Sequence, residues 1–84
     1  MRKVARSPDD LGHILKQYRL SAELNQSDLA EKIASTQMSI SRLESGDVGQ
    51  KMTQIFKLLS VLNLEIEIRP RQVTSAQDVA DLFR

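Results

Sequence analysis

Apolar residues recur at three- and four-residue spacing through most of the chain, which predicts a series of short amphipathic helices. The first helix is expected over about residues 8–22. Ser7 precedes it as a candidate N-cap, because a side-chain oxygen at this position accepts a hydrogen bond from the first turn. Pro8 suits the first helical position and Asp10 occupies the capping-box position. The apolar stripe of this helix consists of Leu11, Ile14, Leu15 and Tyr18.

Three further helices are predicted by the same periodicity, over residues 26–33, 37–44 and about 51–62. Asn25, with Asp28 three residues later, indicates the start of the helix over 26–33. Thr36 indicates the start of the helix over 37–44, and Gly46 indicates its end. The residues expected to face the core are Leu29, Ala30, Ile33, Ile40, Leu43, Met52, Ile55, Phe56, Leu59 and Leu62.

The pattern changes period after the fourth helix. From Leu64 to Arg69 apolar and charged residues alternate strictly, as in a half-buried strand, and Pro70 ends the run. A lone strand cannot satisfy its own backbone hydrogen-bonding groups. Because the chain carries no second strand signal, we expect this strand to pair with the same strand of another copy. Leu64, Ile66 and Ile68 would then share one face.

The charges along this strand also predict its register in an antiparallel pair. Setting Glu65 opposite Glu67 is disfavoured by like-charge repulsion. Setting Glu67 opposite Arg69 draws Pro70 into the ladder. We therefore expect Glu65 opposite Arg69. The predicted fold class is all-α, with four to five helices and one C-terminal β-strand that pairs across a dimer.

Composition limits the classes of protein to consider. The chain has 84 residues, a net charge of +1 and no cysteine. It is long enough for one small domain, and without thiols it has neither disulfides nor thiolate metal sites, which fits a reducing cytoplasm. It contains no apolar run of about 18 residues, so no membrane helix is expected. The basic start of the chain has no apolar segment behind it, so no signal peptide is expected.

The basic residues near the N-terminus need a separate interpretation. Arg2, Lys3 and Arg6 lie in residues 1–7, which form either a solubilising arm or an arm that lies along a DNA backbone. The near-neutral net charge does not decide between these interpretations.

Catalytic and metal-ligating candidates are few. The only histidine, His13, lies beside the apolar stripe of the first helix and is expected to be exposed. No second histidine and no cysteine completes a metal site, and the serines have no base to activate them. Asp9 and Asp10 suit a helix start, and Asp78 and Asp81 suit an exposed helix face. We expect neither an enzyme nor a bound cofactor or metal.

The helices over 26–33 and 37–44 are separated by a tight turn, as in a helix-turn-helix unit. Ala30 is small where the two helices must approach each other. The outward side chains of the second helix are mostly short and polar, which suits the major groove of DNA, about 12 Å wide. Glutamine pairs well with adenine and arginine with guanine. The outward residues are Gln37, Met38, Ser39, Ser41 and Arg42.

The stretch from Leu24 to Gly46, LNQSDLAEKIASTQMSISRLESG, resembles the lambdoid phage repressor/Cro and XRE family of helix-turn-helix proteins. The resemblance implies a repressor-like domain over residues 8–63. It implies base reading by Gln37, Met38, Ser41 and Arg42. It implies contacts to the DNA backbone by Gln26, Ser27, Thr36, Ser39 and Lys51. It also implies a contact between Gln26 and Gln37 and a structural ion pair between Arg19 and Glu44.

Two positions in the turn depart from that family. Ala34 stands where the family usually has glycine, and Ser35 stands where it usually has an apolar residue. A left-handed conformation at Ala34 would cost about 1–2 kcal/mol, because the β-carbon approaches the following carbonyl oxygen. We expect a remodelled turn or a less stable domain.

The segment from Lys57 to Ile68, KLLSVLNLEIEI, followed by a short tail, resembles the HipB-type antitoxins. The resemblance implies a homodimer that binds an inverted-repeat operator of its own operon, a dimerisation strand over 64–70, and a HipA-type Ser/Thr kinase toxin as partner. The tail over 71–84 is short, and its partner-binding candidates at helical spacing are Val79, Leu82 and Phe83. Such a protein acts in the cytoplasm, on the nucleoid.

Two other interpretations remain. A freestanding XRE-family regulator or phage Cro-like repressor would have the same helix-turn-helix but no toxin partner. An adaptor with a degenerate motif would bind protein rather than DNA.

Overall fold

The computed structural model describes residues 3–47 and 52–71. In these two ranges the chain forms four α-helices, and the bounds predicted from the sequence agree with them to within about one residue at each end. The helices are α1 (Pro8–Ser21), α2 (Gln26–Lys32), α3 (Gln37–Glu44) and α4 (Met52–Val61). The tail candidates Val79, Leu82 and Phe83, together with Arg2 and Lys51, lie outside the described residues.

Two side chains, one with a hydroxyl and one with a carboxylate group, accept backbone hydrogen bonds at the start of α1. The Ser7 side chain accepts a hydrogen bond from the Asp10 amide at 3.0 Å, as expected of an N-cap. The Asp10 carboxylate accepts from the amide of Arg6, also at 3.0 Å, rather than from Ser7 as a capping box would require. Ser7 is therefore the N-cap, as predicted. Asp10 binds the amide of Arg6, the residue before the cap, instead of completing a capping box with Ser7.

Side-chain caps also fix the starts of the two helices of the motif. Asn25 and Asp28 form a complete capping box, in which Asn25 Oδ1 accepts from the Asp28 amide at 2.7 Å and Asp28 accepts from the Asn25 amide at 3.3 Å. Thr36 accepts from the Ser39 amide at 3.2 Å. Because each cap satisfies a backbone donor that the helix leaves unpaired, both helices begin at defined residues.

The core is formed by apolar side chains from all four helices, and each is at most 7% exposed. Leu29, Ile40 and Leu58 are the most deeply buried, each at 2% or less. The other core members are Leu15, Ala30, Ile33, Leu43, Ile55 and Leu59.

The sequence-based assignment of α4 was wrong at two positions. Met52 and Phe56, expected in the core, are 56% and 53% exposed. Leu58 is buried in their place at 1% exposure, beside Ile55 and Leu59. Since a helix turns about 100° per residue, Phe56 lies off the face formed by residues 55, 58 and 59, whereas Met52, seven residues before Leu59, lies on that face and is exposed at the first residue of the helix. The apolar stripe was correctly detected, but choosing Phe56 rather than Leu58 placed it too far round the helix.

Helices α1 and α3 approach each other at a glycine. A β-carbon on Gly12 would lie 2.4 Å from the carbonyl oxygen of Leu43 and 2.7 Å from that of Glu44. Both neighbours are backbone atoms, which cannot move without displacing α3. The absence of a side chain at Gly12 therefore sets how closely the two helices pack.

Helix α4 ends at an asparagine in the left-handed region. Asn63 has φ 59°, and the amide of Leu64 reaches back to the carbonyl oxygen of Leu59 at 2.7 Å. Residues 64–71 form neither a helix nor a strand within the described chain, and Ile66 and Ile68 are 43% and 95% exposed. The pairing expected for Leu64–Pro70 across two copies stays a prediction. None of the described helices has the length and apolar character needed to cross a bilayer.

Candidate nucleic-acid interface

The turn between α2 and α3 contains a residue in the left-handed region. Ala34 has φ 55°, so alanine adopts here the left-handed conformation that the sequence had raised as one possibility. The Ser35 amide then donates to the carbonyl oxygen of Ala30 at 2.8 Å, which closes α2 before Thr36 begins α3. This turn therefore has the steric cost of a β-carbon in the left-handed region.

The outward face of α3 carries the residues proposed to read bases. Gln37, Met38 and Arg42 are exposed, and Met38 is 58% exposed, whereas Ile40 on the opposite face is 1% exposed. Ser41 is half-buried. This short helix therefore has one side in the core and one side of mixed, mostly short side chains available to a partner.

A buried ion pair joins α1 to the end of α3. Arg19 Nε lies 2.6 Å from Glu44 Oε2, and Arg19 Nη2 donates to Glu44 Oε1 at 3.1 Å. A third guanidinium nitrogen donates to the carbonyl oxygen of Leu24 at 2.8 Å. Arg19 is only 5% exposed. A buried charge of this kind is tolerated because its partners satisfy it.

The ion pair continues into a chain of amide hydrogen bonds that ends on the outward face of α3. Gln26 Nε2 donates to Glu44 Oε1 at 3.0 Å, and Gln37 Nε2 donates to Gln26 Oε1 at 2.5 Å. An ionised carboxylate only accepts, so Gln26 must turn its NH2 group toward Glu44 and its oxygen toward Gln37. Gln37 must in turn use one N–H for Gln26. Its oxygen and second N–H are the two groups that pair with the N6 and N7 edge of adenine.

The candidates for contacts to the DNA backbone lie where the motif helices begin. Thr36 and Ser27 are exposed, and Gln26 and Ser39 are half-buried. Helix N-termini present unpaired N–H groups and a positive end of the helix dipole, both of which suit phosphate. Lys51, the remaining candidate, lies outside the described residues.

Sequence reasoning missed a contact on the other side of the turn. Gln54 Nε2, in the first turn of α4, donates to the hydroxyl of Ser35. The two side chains border a cavity of about 200 Å³, which is also lined by Ile33, Ala34, Thr53 and Lys57. The signal in the sequence was the polar residue at position 35, which needs a polar partner once it is half-buried.

The N-terminal arm contacts α1, which neither interpretation of its charge had indicated. The Lys3 ammonium lies 5.7 Å from the centre of the Tyr18 ring and donates to Gln17 Oε1. Gln17 Nε2 lies 3.1 Å from His13 Nε2. His13 is exposed, as predicted. Across the described ranges, no group of His, Cys, Asp and Glu side chains is arranged to hold a metal ion.

Comparison with known proteins agrees with this geometry. A family model described as "HTH_3: Helix-turn-helix" matches residues 15–68, which is more than half of the chain. The chain belongs to this XRE-type helix-turn-helix family. It is a DNA-binding regulator of that type. No match is found among curated proteins.

Solved structures of HipB proteins are similar to this chain over most of its length. One, described as "HipB-O4 20mer complex", is 30% identical, with a TM-score of 0.74, and the match covers 86% of this chain and all of that one. A HipB chain from a "HipA-HipB-O2-O3 complex" gives the same values. The restriction-modification controller protein C.AhdI from Aeromonas hydrophila is 24% identical over 69% of this chain and 84% of its own, with a TM-score of 0.64, and shows the fold alone. The chain is thus an XRE-type protein that resembles the HipB antitoxins, as expected from its sequence.

Proposed function

We propose that this protein is a sequence-specific transcriptional repressor that binds an inverted-repeat operator as a homodimer. The observation that carries the proposal is the orientation of Gln37. The chain of contacts from Arg19 through Glu44 and Gln26 holds this side chain at the outward start of α3 with a donor and an acceptor available. Such preorganisation suits the reading of a base edge, because an already oriented group loses less conformational entropy on binding.

Each side chain of the outward face has its own role in this proposal. Gln37 pairs with adenine, Arg42 pairs with guanine, and Met38 packs against a thymine methyl group. Ser41, whose side chain is short, contacts a base edge through its hydroxyl group. Contacts to phosphate fix the protein on the duplex and supply most of the affinity, which weakens as salt is raised. These contacts come from Gln26, Ser27, Thr36, Ser39 and Lys51.

A titration with Arg42→Ala tests the base-reading role. Operator duplexes are first selected from a random pool with the wild-type protein. We expect the substitution to cost about 1–3 kcal/mol on the selected operator and to relax preference at one base pair. Lys16→Ala, which removes one positive charge from the exposed side of α1, is the matched control. Equal losses on operator and random duplexes would instead make Arg42 a phosphate contact.

Dimerisation is proposed to occur through the segment 64–70. Ile66 and Ile68 are exposed, and the segment forms no ladder with the other described residues. A strand that pairs with a second copy would present these features. A two-fold dimer places two α3 helices in successive major grooves, about 34 Å apart. The operator half-sites are then one helical turn apart.

The register of this strand pair can be tested with single cysteines, since the chain has none of its own. If Glu65 lies opposite Arg69, residue 67 lies on the two-fold axis and meets its own counterpart. This register leaves one like-charge pair, Glu67 with the Glu67 of the second copy. When Glu65 faces Glu67, symmetry produces two such pairs. Under mild oxidation we expect a covalent dimer from Glu67→Cys, and much less from Ile66→Cys or Ile68→Cys. Preferential cross-linking at 66 or 68 would establish one of the other registers.

A HipA-type kinase is the proposed protein partner, which would make the chain an antitoxin that represses its own operon. Support comes from the similarity to the HipB chain of a HipA–HipB complex. The tail residues Val79, Leu82 and Phe83 are the candidate contacts. A pull-down with the product of the neighbouring gene, with and without residues 72–84, tests this. The alternative, a freestanding XRE-family or Cro-like repressor, has no such kinase-like neighbour. Either protein would act in the cytoplasm, on the nucleoid.

A further inference from the structure

The start of the recognition helix α3 is held from two different directions. On one side Gln26 of α2 accepts a hydrogen bond from Gln37, the first residue of α3. On the other side Gln54 of α4 donates to the hydroxyl of Ser35 in the turn. The first contact belongs to the network already described. The second comes from a helix outside the helix-turn-helix unit.

The contact from Gln54 reaches the turn at the residue that follows its left-handed position. Ala34 is in the left-handed region, at φ 55°, where a β-carbon is strained. Ser35 follows with a polar side chain that is half-buried against α4 and so needs a hydrogen-bond partner. Gln54 provides that partner across 19 positions of sequence. The contact therefore supports the turn at the residue that follows the strained one.

The residue after Ser35 is the N-cap of α3. The Thr36 oxygen accepts from the Ser39 amide at 3.2 Å, and its carbonyl oxygen accepts from the Ile40 amide at 3.2 Å. A shift of Ser35 would be transmitted to Thr36 and thus to the angle at which α3 leaves the turn. Because α4 packs into the core through Ile55 and Leu59, Gln54 is attached to a rigid support.

We propose that Gln54 is a positioning residue for base reading, which acts through Ser35 to fix the orientation of α3. This inference rests on the proposed function. Gln54 is assigned no contact with a base. Its removal should therefore weaken the match between α3 and its operator and leave the general attraction to phosphate unchanged.

The test uses the operator selected with the wild-type protein, an unrelated duplex of equal length, and four full-length variants. These are Gln54→Leu, Ser35→Ala, the double variant, and Thr53→Ala as the control from the same turn of α4. Each single variant at 54 or 35 should lower operator affinity about three- to tenfold, the effect of one hydrogen bond. Affinity for the unrelated duplex should stay within about twofold. The double variant should bind the operator no more weakly than the weaker-binding of the two single variants, because the two substitutions remove the same hydrogen bond.

Other results would overturn the inference. Equal losses on both duplexes, with a shallower salt dependence, would mean that Gln54 touches phosphate directly. Additive losses in the double variant would mean that the two side chains act separately.

A measurement without DNA separates this inference from the proposed function. If the wild-type protein selects no operator, the proposed function fails. The positioning role is then judged by amide exchange alone. In Gln54→Leu the amides of Ser35 and Ile40 should exchange faster than in Thr53→Ala, while amides in α1 are unchanged. Identical exchange in the two variants would exclude a positioning role for Gln54.

Discussion

Arg19 and Glu44 face each other in bidentate geometry, with Nε 2.6 Å from Oε2 and Nη2 3.1 Å from Oε1, and both side chains are at most 7% exposed. The pair joins the first helix to the end of the recognition helix. Through the second bond of Oε1, it also sets the orientation of Gln26. A contact that stabilises the fold therefore also determines how Gln37 is held on the outward face of α3.

The first prediction concerns the loss of one partner of this pair. Glu44→Gln leaves the buried Arg19 without a counter-charge, so we expect a loss of about 3 kcal/mol in the free energy of unfolding, measured by urea denaturation. The double variant Arg19→Met with Glu44→Leu should lose less, because neither charge is then left unpaired. Equal losses in the single and double variants would contradict the geometry described.

The second prediction uses the amide orientation of Gln26. Gln26→Glu brings a carboxylate to a position whose present amide nitrogen is 3.0 Å from Glu44 Oε1, whereas Gln26→Met only removes the hydrogen bonds. Repulsion between like charges should make the glutamate variant the less stable of the two, by about 1–2 kcal/mol. Thermal unfolding at neutral pH measures the difference. If both variants are equally stable, Gln26 does not contact Glu44 in solution.

The third prediction concerns the turn. Ala34→Gly removes the steric cost of about 1–2 kcal/mol at φ 55°, offset by about 0.4–1 kcal/mol of extra freedom in the unfolded chain. The net gain should raise the midpoint of thermal unfolding by a few degrees. Ala22→Gly is the control, because Ala22 is exposed and has an ordinary φ of −84°. That variant should be destabilised, and a loss in both would place Ala34 outside the left-handed region.

Much of this domain could be predicted from its sequence, because its determinants are local. Capping residues such as Asn25 and Thr36 act within a single turn, so they indicate where a helix begins without knowledge of the fold. A left-handed conformation at Ala34 was raised only through the resemblance to a family that usually has glycine at this position. The ion pair of Arg19 with Glu44 was anticipated only from the resemblance to repressors.

The features that were missed depend on packing between elements distant in sequence. The choice between Phe56 and Leu58 as a core residue depends on how α4 is rotated against the other helices, and both belong to an apolar stripe of acceptable spacing. The contact of Gln54 with Ser35 needs the placement of α4 beside the turn. The position of Lys3 on Tyr18 likewise depends on the path of the arm, which has no periodicity to reveal it.

The fourth prediction concerns that arm. A cation above a half-buried aromatic ring near the surface contributes only about 1 kcal/mol, so Lys3→Ala should hardly change the stability. The arm position is better observed by NMR, as an upfield ring-current shift of the Lys3 ε-methylene protons that disappears in Tyr18→Leu. Lys16, which is exposed on α1, supplies the unshifted reference. A Lys3 resonance identical to that of Lys16 in the wild-type protein would contradict the contact.

The fifth prediction concerns whether Gly12→Ala raises or lowers the stability of the protein. Replacing glycine by alanine inside an ordinary helix stabilises a protein by about 0.5–1 kcal/mol, since glycine loses more backbone entropy on folding. Gly12→Ala should do the reverse, because the new β-carbon would lie 2.4 Å from the carbonyl oxygen of Leu43. Relief requires α1 and α3 to separate, which also stretches the contact of Arg19 with Glu44. We expect a loss of about 1–3 kcal/mol.

Thermal unfolding of Gly12→Ala, compared with Lys16→Ala on the exposed side of the same helix, measures this effect. The control should change stability by no more than about 0.5 kcal/mol. If the two helices separate, the operator affinity of Gly12→Ala should also fall at temperatures where the variant is still folded, because Glu44 then no longer fixes Gln26 and Gln37. A variant that is stabilised would show that α1 and α3 lie further apart in solution, and the ion pair between them would then have to be longer as well.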